Sequence, residues 1–512
     1  MTQAYTGADA LLDALIACGA DTAFGVPGES YLAALDAIHR RGKAFRFITC
    51  RHEAGAANMA DAAGKLTGKP GICFVTRGPG ATHATIGLHT AFQDSTPMIL
   101  LIGQVAREQK DREAFQEIDY THFLSEVTKW TAEVSDPARI GEYVHRAFTT
   151  ATSGRPGPVA LALPEDVLSG LAPRVPVRAH TPNISHPNPE MVGEVAERLL
   201  AAKRPFFLVG GSGWTREAVS KLAHITGSFQ WPVAASFRAQ DRLDSRHASY
   251  VGDMGIGANP KLVAHMQASD LIVALGPRLG EMTTAGYSRL TPPIASQPLV
   301  HIHQGAEELG RVYQADISVC SAPGPFLDAL EFYLEDEEAG SPATAPNWRR
   351  TCRADYLAWS NPASLHGSME GPVQLSEIYA HLNDTLGDDI VWANGAGTYS
   401  IWLHRFAKYG AFPSQLAPTS GAMGYGVPAG VAAKILNPQR TVVAAAGDGC
   451  FAMGMSGLLT AAQYKAGGLF LIPHSPVLSA CPKRAPPPAI LRAHSCKPQT
   501  LRRWQPPAVL LG

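Results

Sequence analysis

No stretch of the 512-residue chain stays apolar for the roughly 18 to 20 residues that a helix needs to cross a bilayer, because Pro, Gly or charge interrupts every hydrophobic run. A membrane partner is therefore not expected. An excess of one charge is missing as well: 43 Lys+Arg stand against 44 Asp+Glu, a formal net charge of −1. So balanced a chain raises no long-range field to hold nucleic acid or an anionic lipid surface, and small molecules are the expected partners. The eight cysteines, at 18, 50, 73, 320, 352, 450, 481 and 496, include no Cys-x-x-Cys pair, and the first residues show no secretion-signal pattern. Scattered thiols in that context read as reduced cysteines in the cytoplasm.

What is present is length and alternation. At roughly 150 residues per domain the chain holds about three domains. Short apolar runs at 23–26, 45–49, 71–76 and 98–102 alternate with helix-length amphipathic ones. That order predicts an α/β fold with a doubly wound parallel sheet, its ligand-binding loops at the carboxyl ends of the strands. The first domain is placed at 1–172. A Pro-rich stretch at 172–189 reads as a linker. A second domain, 190–335, has strand candidates at 205–209, 231–235, 270–275 and 298–303 and fades at the acidic 335–346 stretch. A third, 373–467, has strands at 389–393 and 441–446 and helices at 424–436 and 453–465. From 468 to 512 there are nine prolines, six Lys/Arg and no Asp or Glu, without helix or strand periodicity. The expectation is three consecutive doubly wound parallel-sheet domains, the third incomplete, followed by an aberrant basic tail from a shifted reading frame.

Two strand-to-helix turns carry the chemistry: Arg51-His52-Glu53-Ala54-Gly55-Ala56 and Gly447-Asp448-Gly449-Cys450-Phe451. Glu53, among Ala54, Ala56, Ala57 and Met59, offers a partly desolvated carboxylate for proton exchange, although a lone glutamate there is more often simply a helix start that favours negative charge. Asp448 offers one hard oxygen to Mg²⁺, and its flanking glycines let backbone approach a diphosphate, although a lone Gly-Asp-Gly is more often a simple turn. The Gly210-Gly211-Ser212-Gly213 cluster reads either as a tight turn or as a nucleotide cradle. His301 and His303 share one face of a strand, without a third ligand at obvious spacing, and read as structural.

With Phe24-Gly25-Val26-Pro27-Gly28, Thr76-Arg77-Gly78-Pro79-Gly80-Ala81-Thr82, Phe115-Gln116-Glu117 and Thr419-Ser420-Gly421-Ala422-Met423-Gly424, these turns resemble the thiamine-diphosphate-dependent enzymes of the acetolactate synthase large-subunit branch. The resemblance spans about residues 5–467. It implies decarboxylation of a small 2-keto acid such as pyruvate, followed by carbon–carbon bond formation, with thiamine diphosphate and Mg²⁺. A 2-keto acid decarboxylase, a C–C lyase or a catalytically dead truncated relative are the alternatives.

By the same resemblance Glu53 activates the cofactor, and Gly28, Gly395, Gly421, Met423, Asp448, Gly449 and Cys450 bind it. Asp448 ligates the metal; Gly78, Pro79, Gly80, His83, Phe115 and Gln116 lie on the substrate side. The Gly421 carbonyl accepts from the cofactor's amino group, and Met423 wedges its two rings into a bend. The central domain of this branch can bind FAD. Each active site is built from two subunits, so a homodimer or homotetramer is implied. The sequence departs from the family at His83, which replaces an asparagine, and at His474 and Ser475, which replace two more.

Overall fold

Sixteen strands lie among the residues described by the computed structural model, 4–335, 345–365 and 374–473, and every pairing between them is parallel. The first sheet comprises β1 (Thr22–Gly25), β2 (Arg46–Thr49), β3 (Gly71–Val75), β4 (Met98–Gln104), β5 (Trp130–Glu133) and β6 (Pro158–Pro164), in the order β2-β1-β3-β4-β6-β5. The second comprises β7 (Pro205–Val209), β8 (Val233–Ala235), β9 (Tyr250–Asp253), β10 (Leu271–Leu275), β11 (Leu299–His303) and β12 (Ile317–Cys320), in the order β12-β11-β10-β7-β8-β9. The third is smaller: β13 (Ile390–Asn394), β14 (Gln415–Leu416), β15 (Thr441–Ala445) and β16 (Leu469–Leu471), in the order β14-β13-β15-β16. Every residue of β4 and β6 is buried, as central strands covered on both faces require.

Two expectations need correction. The single helix predicted at 453–465 is two, Asp448–Gly454 and Gly457–Gln463, bent where Gly454 passes against the Gly424 carbonyl and Gly457 against Pro428. The regular fold does not end at Gly467 either, because β16 pairs with β15 in register Val443↔Leu469 to Ala445↔Leu471. A three-residue Leu-Phe-Leu strand is too short to show periodicity in sequence. The remaining tail, with His474 and Ser475, lies outside the described residues.

The first and third domains share one hydrophobic core, in which Ala56, Ala57 and Ala60 of the Glu53–Thr67 helix meet Tyr425, Ala429 and Ala432 beside the Gly426–Leu436 helix. Small side chains let these helices approach closely. At the C-terminal end of the contact, Lys65 Nζ lies 2.7 Å from Asp61 Oδ2, pairs with Asp94 and meets Tyr425 Oη at 3.1 Å. Tyr425 donates to Asp61 at 2.6 Å, and Asp94 accepts from the Thr419 N–H at 2.7 Å. Burial pulls the Lys65 ammonium down; Asp61 and Asp94 more than offset it and hold it above its ordinary value.

Removing the cation should leave two carboxylates uncompensated in a dry interface. Lys65→Met is expected to cost about 3–5 kcal/mol in guanidinium denaturation, the range for breaking a buried pair on one side. Burial also pushes the His301 imidazole down to about 4 and that of His404 to about 3. Both are therefore neutral when folded and protonate more readily when unfolded. Their contribution is complete above the ordinary histidine pKa of about 6.5 and is lost as pH falls toward 4. Melting temperature should drop across that window, and His301→Gln or His404→Gln should flatten the slope.

Candidate active site

The turns singled out in the first domain all follow carboxyl ends of strands: Gly28 after β1, Glu53 after β2, Gly78-Pro79-Gly80 after β3, and Phe115-Gln116 after β4. Glu53 opens its helix, with the His52 side chain capping by accepting from the Ala54 N–H at 3.1 Å. The Glu53 side chain is 14% exposed, and its Oε2 lies 3.0 Å from His83 Nδ1. His83 in turn stacks on His52, ring centroids 4.6 Å apart.

Together these three residues place nitrogen and oxygen ligand atoms within 4.8 Å of one another. The rings are only 29° from parallel, however, so their in-plane lone pairs do not converge, and His52 Nδ1 is already an acceptor. The cluster is a hydrogen-bonded support for the carboxylate rather than a metal centre. Nearby, the Gln116 carbonyl accepts from the Gly78 N–H at 3.0 Å, with Gln116 held at φ +66°. Its buried side-chain Oε1 has no partner in the protein, and Phe115 is exposed.

In the third domain the corresponding turns follow β13 (Gly395), β14 (Thr419 to Gly424) and β15 (Gly447 to Cys450). Gly421 adopts φ +70°, and no protein atom lies within 4 Å of where a Cβ would project, an open position before the Gly426–Leu436 helix. The half-exposed Met423 lies across the Asp448 turn, its Cε 3.6 Å from the Cβ position of Gly449. Cys450 is buried, and its Sγ accepts from the Gly424 N–H at 3.2 Å and from Tyr399 Oη at 3.6 Å. A Cβ on Gly395 would fall 2.4 Å from that sulfur, so glycine is required there.

The two sets are not brought together within one chain. Tyr425, two residues after Met423, contacts Asp61 and Lys65, whereas Glu53 lies at the other end of the same helix, roughly 12 Å of rise from Asp61. Helix Gly78–Asp94 has the same polarity, with His83 near Glu53, Thr90 bonded to Ser420 and Asp94 to Thr419.

Three family profiles match the chain: thiamine pyrophosphate enzyme, N-terminal TPP binding domain, over residues 5–123; central domain, over 192–330; and C-terminal TPP binding domain, over 395–473. Acetolactate synthase of Mycobacterium bovis is 31% identical over 90% of this chain and 74% of its own length. The acetolactate synthase large subunit of Parasynechococcus marenigrum is 33% identical over 90% and 75%. The chain belongs to the thiamine pyrophosphate enzymes, in the acetolactate synthase family. Acetolactate synthase isozyme 3 large subunit of Escherichia coli is 29% identical over 90% of this chain and 80% of its own length.

The described residues fit a thiamine cofactor. Gln116 presents an orphaned polar atom, the Gly421 turn is open, and Asp448 offers a carboxylate beside glycine backbone. By contrast, the Gly210–Gly213 turn is filled by Ser236, Gly276 and Gln304 and forms no open cradle. His301 and His303 are buried and bonded to the backbone carbonyls of Pro277 and Gly305.

Sequence reasoning missed Arg238. This buried central-domain residue donates from Nη1 to the Pro418 carbonyl and from Nη2 to that of Gly395 at 3.0 Å, tying two turns of the third domain. Its position just past β8, at a carboxyl strand end, was the available signal. Arg238→Leu should remove both bonds, each worth about 1.5–3 kcal/mol as bonds to a charged donor, and accelerate amide exchange across 395–424.

Proposed function

We propose that this family member carries out an acetolactate synthase-like reaction: a 2-keto acid, pyruvate first among candidates, loses carbon dioxide and its remaining fragment joins a second carbonyl compound. The observation that carries this reading is the occurrence of both sets of family turns at carboxyl strand ends, in two half-sites at opposite ends of one helix pair. When bound, thiamine diphosphate supplies the electron sink for decarboxylation. Glu53, held by His83, would be the group that holds or gives up a proton toward a ring nitrogen of the cofactor. Asp448 would give an oxygen to Mg²⁺, and the Gly447–Gly449 backbone would receive the diphosphate. Gly421 and Met423 orient the rings, while Phe115, Gln116 and the Gly78–Gly80 turn border the substrate.

Because one chain keeps its half-sites apart, the reading requires a second copy, and a homodimer is the minimum active unit. Exposed Met453, Met455 and Leu459 beside the Asp448 turn give such a partner an apolar surface to cover. The domains divide at 1–172, 190–335 and from 373 onward, and a role in branched-chain amino acid biosynthesis follows from the reaction. No helix among the described residues is long and apolar enough to cross a membrane, and the six described cysteines are free thiols, in keeping with a cytoplasmic enzyme. The resemblance also allows FAD in the central domain; flavin released on denaturing the purified protein is its test.

Calorimetric titration of the 512-residue chain with thiamine diphosphate should show Mg²⁺-dependent binding, and pyruvate should yield acetolactate. Glu53→Gln should lower turnover about 10²–10⁴-fold, the usual share of proton-transfer catalysis, while cofactor affinity stays within a few-fold. Absence of cofactor binding, or acetaldehyde as the sole product, would overturn the reading.

A further inference from the structure

A cavity of about 560 Å³ opens between the first and third domains, and none of the residues of either half-site lines it. Its size is that of a small-molecule pocket. Arg46 on β2, Lys434 on the Gly426–Leu436 helix and Lys465 beyond the Gly457–Gln463 helix all line it, and no Asp or Glu does. That concentration is unusual in a chain whose charges otherwise balance.

The pairing of neighbouring cations sharpens the contrast. Arg40 and Arg41 are held by Asp9, Asp13 and Asp36, and Arg440 by Asp389. Among the described residues Arg46, Lys434 and Lys465 form no ion pair. Arg46 donates from Nε and Nη2 to the neutral Thr22 hydroxyl, and Lys434 to the Arg440 carbonyl at 2.9 Å. Lys465 also sits at φ +53°, just past a helix end where glycine or asparagine is the low-cost residue. A lysine kept there places an ammonium at the cavity at a backbone cost.

The walls between these cations are apolar and partly aromatic, with Phe47 and Tyr464 beside Ile48, Ile435 and Pro438. We infer that this cavity binds a small organic phosphate bearing a flat ring, of the nucleotide class, with the three cations on its phosphates and the aromatic wall against its ring.

The site also touches the strand that leads to Glu53. Tyr464 Oη accepts from the Thr49 N–H at 2.8 Å and donates to the Phe47 carbonyl at 3.2 Å, clamping the end of β2 four residues before that carboxylate. Arg51 is tied to Gln463, on the helix that ends beside Tyr464. A ligand here therefore bears on the segment that carries the activating group. That regulatory consequence rests on the proposed function; the binding itself does not.

The test is calorimetric titration of the full chain with ADP in EDTA, which withholds the Mg²⁺ that the cofactor site needs. ADP is expected to bind at one site per chain, to weaken at higher salt, and to lose about tenfold or more in Arg46→Gln/Lys465→Asn, a modest fraction of two charged contacts. Asparagine tolerates the backbone of position 465, and both side chains are exposed, so the fold should survive, as circular dichroism would verify. Adenosine, which shares the ring but lacks phosphate, should bind at least about tenfold more weakly. No binding of ADP, equal affinity in the double variant, or equal affinity for adenosine would each overturn the assignment. If ADP binds as expected yet thiamine diphosphate does not, the cavity stands and the catalytic reading falls.

Discussion

The structure depends on one buried ammonium. Lys65 sits where the first and third domains meet, facing two carboxylates and a tyrosine hydroxyl in an interface otherwise built of alanines. A pair of charges taken out of water gains little over an apolar contact of the same shape, so affinity alone is a poor reason for its presence. What the cluster adds is register. Asp61 and Lys65 share a helix with Glu53, and Asp94 also grips Thr419 at the start of the Gly421 and Met423 turn. Sliding the third-domain helix by a turn would break the contacts of Tyr425 with Asp61 and Lys65 and of Thr419 with Asp94, so the two half-sites are held at a fixed spacing.

That spacing is why the proposed function calls for a second copy of the chain. Two similar sheets pack through their small-residue helices with opposite polarity, so loops at their carboxyl ends emerge at opposite ends of the shared core. Each chain thus presents the Glu53 turn on one side and the Asp448 turn on another, facing different ways. The local supports differ in kind. Glu53 is held by side chains, through a histidine that rests on a helix cap. The Asp448 turn is braced through a buried thiol that accepts a backbone N–H from the neighbouring turn.

The apolar runs of β4 and β7 were legible from sequence because burial on both faces leaves no other composition workable, whereas the equally apolar and buried β6 was not read as a strand. The strand β5 was not: all its residues are only half-buried, and at the sheet edge Trp130 to Glu133 carries no distinctive pattern. The short β9 has a glycine inside it and lacks the apolar run by which a buried strand is recognised. The turns bearing Glu53 and Asp448 could be placed because glycines and a strand-to-helix change mark them. His83 could be flagged as a departure from the family, but its bond to Glu53 depends on a helix crossing that no linear pattern records. The Lys65 cluster and Cys450 were illegible in the same way, since their partners come from segments distant in sequence.

Arg238 changes what the central domain is. A domain joined by linkers at both ends looks like an interchangeable spacer, free to be replaced by any fold of similar size. Here one of its side chains is inserted between two turns of its neighbour and satisfies carbonyls on both. Recombination that imported a foreign central domain would leave those carbonyls without their donor even if every boundary were chosen well. A change at position 238 in the middle domain is therefore felt in the geometry of the last.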